Sequence, residues 1–205
     1  LRWDIDFSDI IIKGRGTRGN ILTKNTIKNI DLKEKGVSTL KPRKIWFDET
    51  VQKLNVDGRG DLLGEFRGED KILVVSQKGV LKIIPPELTT HFNDDMIVLE
   101  KWLPKKPISA IYFDGKKEKY FAKRFLIENE NKEEVFISNK KGSFLELVST
   151  DWKPVFEIVF SKLRNKDQRP SQRIVFEEFI SVKGIKAQGN QLTAHKVKQV
   201  NILEP

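Results

Sequence analysis

The chain has 205 residues, a formal net charge of +9 and no cysteine. That length suits one large all-β domain or two small ones, and the lack of Cys excludes a disulfide framework, a thiolate zinc site and a Cys nucleophile, with a reducing interior as the natural expectation. No apolar run approaches the roughly 20 residues of a spanning helix and no signal-peptide pattern opens the sequence, so it reads as soluble and intracellular with no membrane partner.

Residues 1–44 carry 11 Lys/Arg against 5 Asp/Glu, which favours a polyanionic partner for this end of the chain. A first strand is expected at Ile10-Ile11-Ile12, followed by Gly14-Arg15-Gly16-Thr17-Arg18-Gly19. This matches G-x-G-x-x-G, but a dinucleotide site needs a helix to follow, and residues 21–32 are rich in β-branched residues and Asn. A glycine-rich turn between strands is the better reading, with Arg15 and Arg18 projecting to solvent. Lys13, Arg15, Arg18, Lys24, Lys28, Lys33, Lys35, Lys41, Arg43 and Lys44 then form a row. In extended structure every second side chain shares a face, so several of them can track a phosphate backbone. Nothing in the row suggests reading of base edges.

Short apolar and β-branched runs continue at residues 44–47, 72–75, 108–113, 135–137, 155–160 and 174–176. Roughly sixteen strands are expected and no long amphipathic helix. Asp57-Gly58 and Asp114-Gly115 read as tight turns, because Asp-Gly supplies the positive φ that hairpin turns require. Residues 45–115 hold 9 Lys/Arg against 12 Asp/Glu, while 116–179 hold 14 against 11 and 180–205 hold 4 against 1. Positive charge therefore gathers at the two ends. Trp3, Trp46, Trp102 and Trp152, with most Phe residues, sit in apolar runs and read as core. His91 and His195 lack metal-ligand spacing. The carboxylate pairs Asp94-Asp95, Glu133-Glu134 and Glu177-Glu178 would point to opposite faces of a strand, which argues against acid/base work. No catalytic residue and no metal site is expected.

A shift of 170 positions lays Ile10-Ile11-Ile12-Lys13-Gly14 on Ile180-Ser181-Val182-Lys183-Gly184 and Gly19-Asn20-Ile21-Leu22-Thr23 on Gly189-Asn190-Gln191-Leu192-Thr193. Ile27-Lys28-Asn29-Ile30 falls on Val197-Lys198-Gln199-Val200 in the same register. Weaker copies of strand, polar turn with Gly and strand are expected at 72–84 around Gly79 and at 135–148 around Gly142. The spacing of these glycines is close to the size of a four-stranded blade. The fold class is therefore all-β, a propeller-like array of about four four-stranded antiparallel blades. In a ring, the basic first and last units would sit side by side.

Repeated strand, polar turn, Gly and strand with Lys/Arg resembles the β-pinwheel C-terminal domain of the A subunits of bacterial type IIA topoisomerases, topoisomerase IV and gyrase. The residues carrying the resemblance are Lys123-Arg124-Phe125, Ser76-Gln77-Lys78-Gly79 and the stretch from Phe179 through Lys183-Gly184. Residues 43–65 and 108–128 are similar to the topoisomerase IV A subunit of Bacteroidetes-type bacteria. Gyrase A subunits carry a box, Q-R-R-G-G-[KR]-G. The corresponding Asp31-Leu32-Lys33-Glu34-Lys35-Gly36-Val37 keeps only Lys35-Gly36, which favours topoisomerase IV over gyrase-style wrapping.

The resemblance implies a single domain over residues 1–205, a piece of a longer cytoplasmic, nucleoid-associated subunit. Its role would be sequence-tolerant binding and bending of duplex DNA on a basic rim, presenting it to a strand-passage core. The partners implied are the rest of the A subunit and the ATPase B subunit. ATP and Mg²⁺ serve that full enzyme, with no cofactor in this domain, and Tyr112 and Tyr120 are structural. The candidate DNA-binding set extends to Lys78, Lys82, Lys123, Arg124, Lys140, Lys141, Lys183, Lys186, Lys196 and Lys198. The alternative is a propeller-like protein-interaction module with no nucleic-acid role.

Overall fold

The computed structural model describes residues 3–11, 13–33, 42–162 and 168–203. The chain divides into two compact units, Leu1–Lys41 and Pro42–Pro205.

The larger unit contains strands β1 (Arg43–Asp48), β2 (Lys53–Asn55), β3 (Asp61–Phe66), β4 (Ile72–Ser76), β5 (Val80–Ile84), β6 (Met96–Lys101), β7 (Ile108–Asp114) and β8 (Lys119–Leu126). These are followed by β9 (Glu134–Val135), β10 (Phe144–Ser149), β11 (Val155–Phe160), β12 (Gln172–Val175), β13 (Lys183–Gly184), β14 (Asn190–Gln191) and β15 (Val197–Leu203). One helical turn, α1 (Phe176–Phe179), interrupts them. The strands form four sheets, ordered β2-β1-β3, β6-β4-β5-β9, β10-β7-β8-β13 with β14 also on β8, and β12-β11-β15. The all-β reading holds and no sheet closes into a barrel. The strand counts of three, four, five and three differ from four per sheet, because neighbouring sheets exchange edges: β9 joins β5, and β13 and β14 join β8.

The residue pattern explains the layering. In β11, Phe156, Ile158 and Phe160 are buried in alternation with half-buried positions, as a strand with one core face requires. Every residue from Ile72 to Val75 in β4 is buried, so that strand is covered on both faces. Ile72 and Val74 pack with Ile45, Phe47 and Phe66 of the first sheet, while Leu73 and Val75 pack with Ile108, Ala110 and Phe125 of the third. The third sheet then contributes Ile111 and Ala122 to a core with Phe156, Ile158 and Phe176. Consecutive sheets of this unit are thus stacked face to face, each pair sealed by one apolar layer in which a fully buried Ile or Phe is worth about 1.5–3 kcal/mol.

Gly58 has the expected positive φ, 83°, but neither Asp-Gly pair forms a two-residue hairpin turn. β2 and β3 flank β1 on opposite sides, so Asp57-Gly58 lies in a connection between two edges. β7 and β8 do form a hairpin, but Asp114 pairs with Lys119, which leaves a loop of residues 115–118. The positive φ there belongs to Glu118 and not to Gly115. Gly115 answers a different need: a Cβ on it would stand 2.2 Å from the carbonyl oxygen of Lys141. Of the weaker repeats, 72–84 is the β4–β5 hairpin, whereas 135–148 divides between two sheets, β9 in the second and β10 in the third.

In the smaller unit, a 3-10 turn spans Phe7–Asp9 and a second turn closes with Thr17 N donating to Gly14 O at 3.0 Å. Its described residues contain neither the expected strands nor any helix over 21–32, and no helix follows the glycine-rich turn. Phe7, Ile11, Ile21, Ile30 and Leu32 are exposed. Trp3 and Trp152 are exposed as well, against the expectation that all four tryptophans are core.

Candidate nucleic-acid interface

Lys13, Arg15, Arg18, Lys24, Lys28 and Lys33 are all exposed. Lys33 is held by Asp4 at 2.8 Å, and Lys13 donates to Asn20 Oδ1. Lys35 and Lys41 lie outside the described residues, as do Glu34, Gly36 and Val37 of the gyrase-box position. In the larger unit, Arg43, Lys44, Lys78, Lys140, Lys141, Lys183, Lys186, Lys196 and Lys198 are exposed. Arg43 bonds to the Pro86 carbonyl at 3.1 Å, and Lys78 is paired with Asp95 at 3.4 Å. Lys82 is half-buried beside a groove of mixed charge that also holds Lys71, Glu130, Lys132 and Glu133.

Lys123 and Arg124 are different. Both are only 6% exposed, because β8 is covered on both faces. Lys123 Nζ donates to the Phe136 carbonyl at 2.8 Å and lies 5.7 Å from the Phe125 ring centre. Burial pushes its pKa down from 10.5 to about 8, since the charged form loses hydration. Arg124 donates to the Trp152 carbonyl at 2.8 Å. Both side chains are engaged in the interior and present no charge to a ligand outside.

The structure brings together a cation cluster of which the sequence reading named only Lys140 and Lys141. The loop after β7 carries Lys116 and Lys117, and Lys119 opens β8; all three are exposed. This loop abuts the one bearing Lys140 and Lys141: Gly115 N donates to Ser143 Oγ at 3.0 Å, and Gly115 lies against the Lys141 carbonyl. Asp114 shapes the corner. Burial alone would raise its pKa, yet hydrogen bonds from Lys117 N, the Ser138 side chain and Lys116 N hold it below the ordinary carboxylate value. Lys119 Nζ reaches Gln191 Oε1 at 3.4 Å, and Lys117 lies over the Phe121 ring at 5.1 Å. None of these five lysines forms an ion pair among the described residues, whereas Lys71, Lys78, Lys101, Lys106 and Lys153 all do. Five exposed ammonium groups on two touching loops, of which only Lys117 feels a nearby carboxylate, that of Asp114, can bind successive phosphates. The signal available beforehand was the run Lys116-Lys117-Glu118-Lys119 itself.

Tyr112 is buried and stacked on Phe121 at 5.7 Å. Tyr120 bonds to Glu146 at 3.4 Å, and burial together with that carboxylate pushes its pKa to about 12. His91 forms a backbone bridge with Lys53, and His195 meets the Phe160 ring edge-on. No group of three metal-ligating side chains occurs among the described residues, and no helix among them is long and apolar enough to cross a membrane.

Stacked sheets, antiparallel except where β13 runs parallel to β8, that exchange edge strands and carry lysines on their connecting loops define an all-β domain with exposed cations. Residues 53–204 match the family described as topoisomerase C-terminal domain, Bacteroidota, and the chain belongs to that family. No curated protein matches it.

Proposed function

We propose that the chain is the DNA-gripping accessory domain of a topoisomerase IV- or gyrase-type A subunit. It binds duplex DNA without sequence preference, bends it and presents it to the strand-passage core. The four stacked sheets act as blades of a β-pinwheel, and residues 1–205 work as one domain of the longer subunit. Chemistry, ATP and Mg²⁺ belong to the remainder of the A subunit and to the ATPase B subunit, in the bacterial cytoplasm, and this domain supplies no catalytic residue.

The observation that carries this reading is the unpaired cluster of Lys116, Lys117, Lys119, Lys140 and Lys141. Point charges on flexible stems suit phosphates at variable positions and read no base edge. Curving 20–30 bp by 40–90° costs about 1–6 kcal/mol, a cost that six or more phosphate contacts can offset at moderate salt. Lys183, Lys186, Lys196 and Lys198 are further exposed cations of the larger unit, and Lys13, Arg15, Arg18, Lys24, Lys28 and Lys33 are exposed cations of the smaller one.

Titrating a plain duplex at several salt concentrations tests the proposal. The logarithm of the binding constant falls steeply with the logarithm of salt, and replacing all five lysines by Ala lowers the magnitude of that slope by up to about 4.5. A flat salt dependence, or a five-Ala variant with the parent slope, contradicts it.

A further inference from the structure

The two ends of the sequence repeat at a spacing of 170 residues, and their hydrogen bonds repeat with them. Lys13 Nζ donates to Asn20 Oδ1 at 2.8 Å, and Lys183 Nζ to Asn190 Oδ1 at 2.9 Å. Thr17 N donates to Gly14 O, and Ala187 N to Gly184 O, each at 3.0 Å. Asn25 N donates to Thr23 Oγ1 at 3.0 Å, and His195 N to Thr193 Oγ1 at 3.1 Å. Asn29 Nδ2 donates to Asp31 Oδ1 at 2.9 Å, and Gln199 Nε2 to Asn201 Oδ1 at 2.6 Å. The 3-10 turn Phe7–Asp9 falls on the position of α1. All these bonds are local, so residues 3–33 already share the turns and side-chain bonds of residues 173–203 without a sheet to rest on.

What differs between the copies is cover. Leu192 and Val200 are 4% and 6% exposed, packed in one core with Phe156, Ile158 and Phe160 of β11. Their counterparts Leu22 and Ile30 are 44% and 75% exposed. Gly189 lies so close to β8 that a Cβ would stand 2.3 Å from the Ala122 carbonyl oxygen, whereas a Cβ on Gly19 would meet nothing within 4 Å. The N-terminal copy therefore keeps a glycine that clears a strand, and apolar residues that meet a core, with neither strand nor core beside them among the described residues.

We propose that residues 3–33 are a docking surface for a further sheet pair of the same repeat. One of its strands runs past Gly19 and Asn20 as β8 runs past Gly189 and Asn190. Another, with aromatic or aliphatic side chains at alternate positions, pairs with residues 27–33 as β11 pairs with β15. β8 and β11 precede β12 in the sequence, and the same order puts the occupant ahead of Trp3 in a longer polypeptide. Strand addition of this kind draws affinity from main-chain hydrogen bonds and specificity from alternate side-chain pockets.

Hydrogen exchange on the 205-residue chain and on an extended chain tests this. The extension grafts a second copy of residues 153–162 ahead of Leu1 through a flexible linker matched to the β11–β12 connection. In the parent, amides of 27–33 exchange far faster than those of 197–203; the graft slows them by about tenfold or more, while a graft of scrambled order does not. As a second readout, Ile30→Lys leaves the unfolding midpoint of the parent unchanged, whereas Val200→Lys lowers it. The proposal is overturned by any of four results: equal protection of both segments in the monomeric parent, protection of 27–33 only in a concentration-dependent dimer, a graft that protects nothing, or an Ile30→Lys variant destabilised as strongly as Val200→Lys.

Discussion

A methyl group added at Gly115 would collide with the Lys141 carbonyl, and the Ser143 hydroxyl that fastens the two lysine loops would move with it. Gly115→Ala is therefore expected to lose about 1–3 kcal/mol in urea unfolding and to weaken DNA binding, because it separates the two halves of the cation cluster. An alanine variant with parent stability and affinity would show that the loops are not coupled. Lys123 offers a test in pH. Its folded pKa of about 8 lies below the ordinary 10.5, so between those values the unfolded chain binds the extra proton. The cost of burying the charge is thus fully present below pH 8 and is relieved as pH climbs to 10.5. Compared with Lys123→Met, the parent gains stability over that window in urea melts at pH 7.5 and 10.5. Identical pH dependence in the two proteins would refute the buried charge. The sequence displays Lys123-Arg124 as one more basic pair, and what it hides is that β8 has two covered faces, so both directions in which these side chains can point lead inward.

Elements that bury their own alternation were readable in advance. The run Val-Phe-Glu-Ile-Val-Phe was expected as a strand and forms β11, with Phe156, Ile158 and Phe160 as its buried positions. Truncating Phe156, which is fully buried against Phe176 with ring centres 4.8 Å apart, should cost about 3–5 kcal/mol in chemical denaturation; a loss below 1 kcal/mol would mean that the layer between the third and fourth sheets is not tightly packed. The run at 135–137 marked the place of β9, but which edges the two-residue strands β9, β13 and β14 join was not readable, since strands so short carry no periodicity that fixes a partner. The same limit explains Asp57-Gly58: the dipeptide marks a reversal, but whether the flanking strands pair with each other or with a third is decided by β1, which lies between them.

For the molecule as a whole, the family and the all-β layering were visible in the repeat of apolar runs and glycines, because each sheet must bury its faces against neighbours. The sequence reading put the positive charge at the two ends of the chain, whereas the lysine cluster lies at residues 116–141. Which lysines remain outside ion pairs depends on where acids fall in three dimensions: Asp95 takes Lys78 and Asp70 takes Lys101, while the two loops that Gly115 joins retain five exposed lysines with no ion pair among the described residues. Those groups are what the account asks DNA to meet. The direct measurement is lysine footprinting, in which an amine-reactive reagent labels the protein with and without a plain duplex and each site is quantified by mass spectrometry. Lys116, Lys117, Lys119, Lys140 and Lys141 should lose reactivity together on DNA binding, with Lys101 and Lys106 unchanged. DNA binding that leaves those five lysines as reactive as in the free protein would contradict the account.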